Sequence, residues 1–171
     1  MLRFGLLGPL EVTAWGARVR LGGAKQRALL AILLLNANKV VATDRLIDLL
    51  WEGEPPGSAP TALQVYVSGL RKALEPDRTR GHAARVLISR PPGYELVVEP
   101  EQLDLLRFEH LIRDGRAAAS AGDHSVVAEL LRRALALWRG PALADFAYAA
   151  FAQGEIARLE ELRVAVLEER I

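Results

Sequence analysis

The sequence predicts a mainly α-helical chain with small β-sheets, in two parts that divide near residue 99. Three observations carry this. Apolar residues alternate over 2–21 and 86–98, the period of strands, whereas spacings of three and four dominate elsewhere. Gly22-Gly23 and Pro91-Pro92-Gly93 punctuate the pattern where one element must end and another begin. The 171 residues are 51% hydrophobic and 25% charged, enough for one ordinary domain or two small ones and unlike a disordered chain.

The elements follow in order. Leu2, Phe4 and Leu6 alternate, as do Leu10, Val12 and Ala14, and Val19 and Leu21 follow a turn at Trp15-Gly16-Ala17. Gly8-Pro9 interrupts pairing as at a bulge or edge. Ala24 to Asn36 reads as a helix with a basic start and an apolar body, which must be buried because it has almost no polar face. Val40-Val41 adds a short strand pairing. Thr43 is placed to cap a second helix, Asp44 to Trp51, with Asp44 favourable for its dipole. Residues 52–60 hold three prolines and two glycines and read as a loop. Pro60 suits the first turn of a third helix that runs to Leu74, with Ser58 or Ala59 near its cap. After a polar loop over 76–84, Val86–Arg90 and Tyr94–Val98 form a hairpin about Pro91-Pro92-Gly93.

Pro100 marks the boundary, and the remainder is helical: Leu103 to Ala121, Ser125 to Trp138 and Phe151 to Ile171. Gly122-Asp123 connects the first two tightly. Ala117, Gly122-Asp123, Ala128, Leu131 and Ala134-Leu135 follow the small-residue pattern of a tetratricopeptide-like helix pair. In the third, Ile156, Leu159, Leu162 and Val166 form a stripe that would pair with a second copy if left open, a homodimer. The chain stops on Ile171 within that pattern, which is expected of a piece of a longer chain.

Composition excludes several classes. With no cysteine there is no disulfide scaffold, thiolate nucleophile or cysteine-ligated metal. The longest apolar run, Ala28–Leu35, is far short of the ~20 residues that span a bilayer. No signal peptide is read at the N-terminus, so the expected compartment is the cytoplasm. His82, His110 and His124 lack metal-ligand spacing, and Gly22-Gly23-Ala24-Lys25 lacks the earlier glycine and following Ser/Thr of a phosphate loop. Glu160-Glu161 and Glu168-Glu169 read as a solvated helix face. No catalytic residue, metal or cofactor is predicted, and residues 1–20 are too short for a phosphoacceptor domain.

The net charge of +1 hides an asymmetry. Residues 1–99 carry 13 Lys and Arg against nine Asp and Glu, while residues 100–171 carry nine against 12. The basic half is where a polyanion would bind. In the third helix Leu63, Val67, Leu70 and Leu74 form one apolar stripe. Thr61, Gln64, Val65, Ser68, Arg71 and Lys72 lie on the other side, with no carboxylate until Glu75. Gln pairs with adenine, Arg with guanine, and Thr and Val touch the thymine methyl, so this face suits the major groove. The alternative is a solvated amphipathic helix, which normally mixes Glu with Lys. Two helices joined by a short connection and followed by a basic hairpin are the order of a winged helix-turn-helix. Arg90 at the hairpin tip suits a narrow minor groove, and Lys25, Gln26 and Arg27 at a helix start suit a phosphate.

Four stretches, in this order, resemble one family. They are Leu21 to Leu30 (LGGAKQRALL), Thr43 to Trp51 (TDRLIDLLW), Leu63 to Leu74 (LQVYVSGLRKAL) and Arg90 to Tyr94 (RPPGY). The family is that of the Streptomyces antibiotic regulatory proteins, and Leu103 to Phe108 and Ala134 to Pro141 resemble the start of its activation domain. The resemblance implies an OmpR-type winged-helix domain over 1–99 and the first part of a bacterial transcriptional activation domain, tetratricopeptide-like, over 100–171. It implies a sequence-specific DNA-binding activator of secondary-metabolite genes that binds promoter direct repeats and recruits RNA polymerase through its sigma factor. The expected DNA contacts are Lys25, Arg27, Thr61, Gln64, Val65, Ser68, Arg71, Lys72 and Arg90. The loop between the second and third helices, with Glu52, Glu54 and Ser58, is the candidate polymerase contact. The rival reading is a protein-interaction module without specific DNA binding.

Overall fold

The computed structural model describes residues 1–79 and 81–170, so Ile171 lies outside the described residues. The chain forms two compact units. One comprises Met1–Leu2, Val12–Glu99 and Ala149–Phe151, and the other Arg3–Glu11, Pro100–Tyr148 and Ala152–Ile171. None of the described helices is long and apolar enough to cross a membrane.

Strands β1 (Leu2–Gly5), β2 (Glu11–Ala14) and β3 (Ala17–Arg18) make a sheet in that order, β2 and β3 antiparallel about a turn at Trp15-Gly16. Helix α1 (Ala24–Leu35) follows, and Leu29 to Leu34 are all buried, as its apolar body requires. Each Leu or Ile so buried stabilises the fold by about 1.5–3 kcal/mol. Strand β4 (Val40–Ala42) leads into α2 (Thr43–Leu50) without a break. Thr43 is therefore the first helical residue and Ala42 the cap, not Thr43 as the sequence suggests. The strand pairing dictates this, because the Thr43 N–H donates to the Pro92 carbonyl at 3.1 Å.

Helix α3 (Ala59–Leu74) has Pro60 in its first turn and buries Ala59, Leu63, Val67, Leu70 and Leu74, the predicted stripe. Strands β5 (Leu87–Arg90) and β6 (Gly93–Leu96) complete a second, antiparallel sheet in the order β4-β6-β5. Gly93 belongs to β6, so the tip is Pro91-Pro92 rather than the three residues expected. A glycine is needed there: a Cβ on Gly93 would lie 1.9 Å from the Val41 carbonyl oxygen. Three helices and a terminal hairpin within Val12–Glu99 make this unit a winged helix.

The second unit is built on α4 (Asp104–Ser120), α5 (His124–Leu135) and α6 (Gln153–Glu169). Asp123 caps α5 by accepting from the Val126 N–H. Helix α5 ends three residues before Trp138, which turns into the core edge-on to Phe108, ring centroids 5.4 Å apart. The close approach of α4 and α5 is made at Gly115 against Leu131, whereas Ala117 and Ala128 of the small-residue pattern are exposed. In α6, Leu159 and Val166 are fully buried and Ile156 and Leu162 half-buried, so much of the predicted stripe is covered within its own unit. Ion pairs Arg158–Glu109 at 2.7 Å and Arg116–Glu169 at 2.9 Å join α6 to α4.

Residues 3–11 pack as part of this second unit, a difference from a division at 99/100. The Asp104 carboxylate, at the start of α4, accepts from the backbone N–H of Leu6 at 2.8 Å and of Leu7 at 3.0 Å. The Arg139 and Leu143 N–H groups donate to the Leu7 and Leu6 carbonyls, both at 2.8 Å, and the Leu10 N–H donates to Asp145 at 2.9 Å. The Arg139 guanidinium reaches Glu11 at 2.9 Å and the Pro9 carbonyl at 2.7 Å. Burial pushes the Asp104 carboxyl above its ordinary value, against the pull of the two N–H groups and of Arg139.

Candidate nucleic-acid interface

Helix α3 holds the site because its stripe fixes which face is left over. Burial of Leu63, Val67, Leu70 and Leu74 leaves Thr61, Gln64, Val65, Ser68 and Lys72 exposed on the opposite side, Val65 by 60%. Thr61, Gln64, Ser68 and Lys72 make no side-chain hydrogen bond or ion pair among the described residues. The face therefore presents an amide, two hydroxyls, an ammonium and an exposed valine, and no carboxylate. Those are groups that read base edges and thymine methyls.

Arg71 differs from the rest of that list. It is half-buried, and its guanidinium turns toward the hairpin: Nε donates to the Leu87 carbonyl at 2.9 Å and Nη2 to Ser89 Oγ at 2.8 Å. Its charge lies 5.8 Å from the centre of the Tyr94 ring. Hydrogen bonds from a charged donor contribute about 1.5–3 kcal/mol each. A bidentate contact to a base contributes about 1–3 kcal/mol. Reaching a base would require Arg71 to release both bonds, which sets it apart from the five exposed residues.

At the hairpin tip, Arg90 is exposed and pairs with Glu95 at 3.3 Å. The Arg90 side chain is 55% exposed and that of Glu95 13%. Arg90 thus keeps one side to solvent, while the largely buried Glu95 carboxylate relies on it for charge compensation.

The start of α1 is arranged inward. Gln26 Nε2 donates to the Leu21 carbonyl at 2.8 Å and packs on Gly69 of α3, where a Cβ would lie 2.3 Å from Gln26 Oε1. Gly69 costs helix propensity but admits this contact. Lys25 donates to the Leu50 carbonyl at the end of α2, and its ammonium sits 5.5 Å from the centre of the Trp51 ring. A cation there offsets the negative end of the α2 dipole. Lys25 is thus engaged within the unit, and Arg27 beside it is half-buried. Trp51 in turn stacks on Tyr66, centroids 6.3 Å apart. This Lys25–Trp51–Tyr66 stack has no spacing signal in the sequence. It stands at the root of the loop 52–58, whose residues Glu52, Glu54 and Ser58 are all exposed. The Glu52 carboxylate accepts from the Ala150 N–H at 3.4 Å. Among the described residues no group of three His, Asp or Glu gathers to hold a metal ion.

A winged helix with an uncommitted polar face on its third helix, followed in sequence by a helical unit, defines a class of transcriptional regulators. Two family models match the chain accordingly: the transcriptional regulatory protein C-terminal domain over residues 16–96, and the bacterial transcriptional activator domain over residues 103–171. Together, in this order, the two domains are those of the Streptomyces antibiotic regulatory proteins, which the chain resembles. It is 42% identical over 171 residues to the regulatory protein AfsR of Streptomyces coelicolor, covering 99% of this chain and 16% of that protein. With the regulatory protein DnrI of Streptomyces peucetius it shares 36% identity over 173 residues, 99% of this chain and 64% of DnrI. Among solved structures, Mycobacterium tuberculosis EmbR in complex with a low-affinity phosphopeptide matches with a TM-score of 0.92 and 40% identity. That match covers 99% of this chain and 44% of EmbR. The chain thus spans between about a sixth and two thirds of the length of these three relatives.

Proposed function

We propose that this chain is a sequence-specific DNA-binding transcriptional activator that acts in the cytoplasm on promoters of secondary-metabolite genes. The exposed face of α3 carries the proposal: Thr61, Gln64, Val65, Ser68 and Lys72, free of carboxylates and of internal bonds. In this reading α3 enters the major groove, Arg90 reaches the adjacent minor groove, and the start of α1 with Arg27 faces phosphate. Copies on direct repeats place the 52–58 loop, with Glu52, Glu54 and Ser58, against the sigma factor of RNA polymerase. The tetratricopeptide-like unit over 100–171 serves protein contact rather than chemistry.

Equilibrium binding to promoter duplexes across a salt series tests this. Phosphate neutralisation produces a steep fall of log affinity with log salt. Gln64→Ala should cost about 1–3 kcal/mol on the true site and relax base preference there. Lys72→Ala should weaken all duplexes similarly and flatten the salt slope by about one. Salt-independent, sequence-blind binding, or none, would favour a protein-interaction module instead.

A further inference from the structure

We infer that Arg71 is a positioning residue that locks the hairpin β5–β6 to α3, so that the major-groove and minor-groove contacts are made at one fixed offset. The inference rests on the DNA-binding reading, but the lock itself is a property of the free protein.

The geometry is specific. Arg71 lies on the last turns of α3, one residue before the exposed Lys72. Its guanidinium spans the first and third residues of β5, bonding the Leu87 backbone and the Ser89 hydroxyl, while Tyr94 on β6 lies beside it. Ser89 and Tyr94 are themselves a cross-strand pair, so the one side chain engages both strands of the hairpin. Arg90, next to Ser89, is carried by that clamp. A guanidinium fork suits this task because its donors are rigidly disposed, whereas a lysine ammonium is a single flexible point. Without the clamp the hairpin keeps its link to β4, through the Val40–Ala42 pairing, but loses its bonds to the reading helix.

The consequence is a composite target. The protein discriminates not only the bases under α3 but also the presence of a narrow groove at a set distance from them, because the two readers cannot shift independently. Two copies of the right half-sequences with displaced A/T flanks should bind as weakly as sites without such flanks.

The test has two readouts on the full chain. In the free protein, hydrogen exchange of the β5 and β6 amides should quicken about tenfold in Arg71→Ala and in Arg71→Lys, and less in Ser89→Ala, while α1 amides stay unchanged. On an A/T-flanked duplex, Arg71→Ala should lose about tenfold in affinity, as much as Arg90→Ala, with the double variant no weaker than either. Preferred bases under α3 should not change. Unchanged exchange overturns the lock whether or not the protein binds DNA. Faster exchange with additive losses in the double variant overturns the coupling of the two readers. A new base preference in Arg71→Ala, or full rescue by Arg71→Lys, shows instead a base or phosphate contact and overturns the inference. If the parent chain binds no duplex, the proposed function fails, and the exchange data still decide the lock.

Discussion

Gly93→Ala adds one methyl group at the tightest place in the winged helix. The new Cβ would stand 1.9 Å from the Val41 carbonyl oxygen, 2.7 Å from its carbon and 2.8 Å from the Ala42 Cα. All three are backbone atoms, so no side-chain rotation relieves the contact, and β4 must separate from β6. That separation removes the pairing of Val40, Val41 and Ala42 with Glu95, Tyr94 and Gly93. Each net hydrogen bond lost costs about 0.5–1.5 kcal/mol. Val41, now buried, forgoes up to about 1.5–3 kcal/mol as it opens to water. A total of about 3–5 kcal/mol follows, a large part of the ~5–15 kcal/mol that holds a domain folded. Because Thr43 follows β4 directly, the start of α2 should loosen too. Urea denaturation should show the loss, and exchange should place it at the Val41 and Thr43 amides. Gly57→Ala, where a Cβ meets nothing within 4 Å, is the control and should be near neutral. A Gly93→Ala protein within 1 kcal/mol of the parent, with β4 amides still protected, would refute the packing argument.

Arg90→Ala should weaken binding most on duplexes with narrow, A/T-rich flanks, and equal loss on G/C-rich flanks would reduce Arg90 to a phosphate contact. Leu159→Ala should cost about 2–5 kcal/mol of stability in the second unit, since its side chain is fully buried, and a loss under 1 kcal/mol would mean that α6 is not packed as described. For Asp104, burial raises the carboxyl above its unfolded value, so the stability it contributes is complete below about pH 4 and lost as pH rises through the raised value. The parent chain should therefore lose stability relative to Asp104→Asn as pH rises from 4 toward 7. A parent that gains on the variant over that range would show that the Leu6 and Leu7 bonds outweigh burial.

Local pattern foretold what local pattern can decide. The stripe Leu63, Val67, Leu70 and Leu74 is buried as its spacing demands, and the face left over follows from it. The nearly all-apolar α1, the β4 pairing and the tight connection at Gly122-Asp123 are likewise properties of short stretches. What escaped depends on residues far apart in sequence. Arg71 has the same helical position as a base reader, and only the arrival of Leu87, Ser89 and Tyr94 decides its orientation. Lys25 opposes the dipole of its own helix but meets the opposite end of α2, which sequence spacing does not reveal. Thr43 is a good capping residue placed one step too late, because β4 continues through Ala42. The small-residue pattern included Leu131, which meets Gly115, but it also marked Ala117 and Ala128, which are exposed on the outer faces, and it passed over Gly115 itself.

The path of residues 3–11 bears on any attempt to study the halves separately. Phe4, Leu6, Leu7 and Leu10 are all buried, and Asp104, Arg139, Leu143 and Asp145 hold their backbone. A fragment ending at residue 99 would retain this apolar segment while discarding every one of those partners. Such a fragment should be sticky and prone to aggregate for reasons unrelated to DNA. Conversely, a fragment beginning at residue 100 would miss the segment and open a cleft beside α4. Supplying residues 3–11 as a separate peptide should then restore it, in the manner of a split protein.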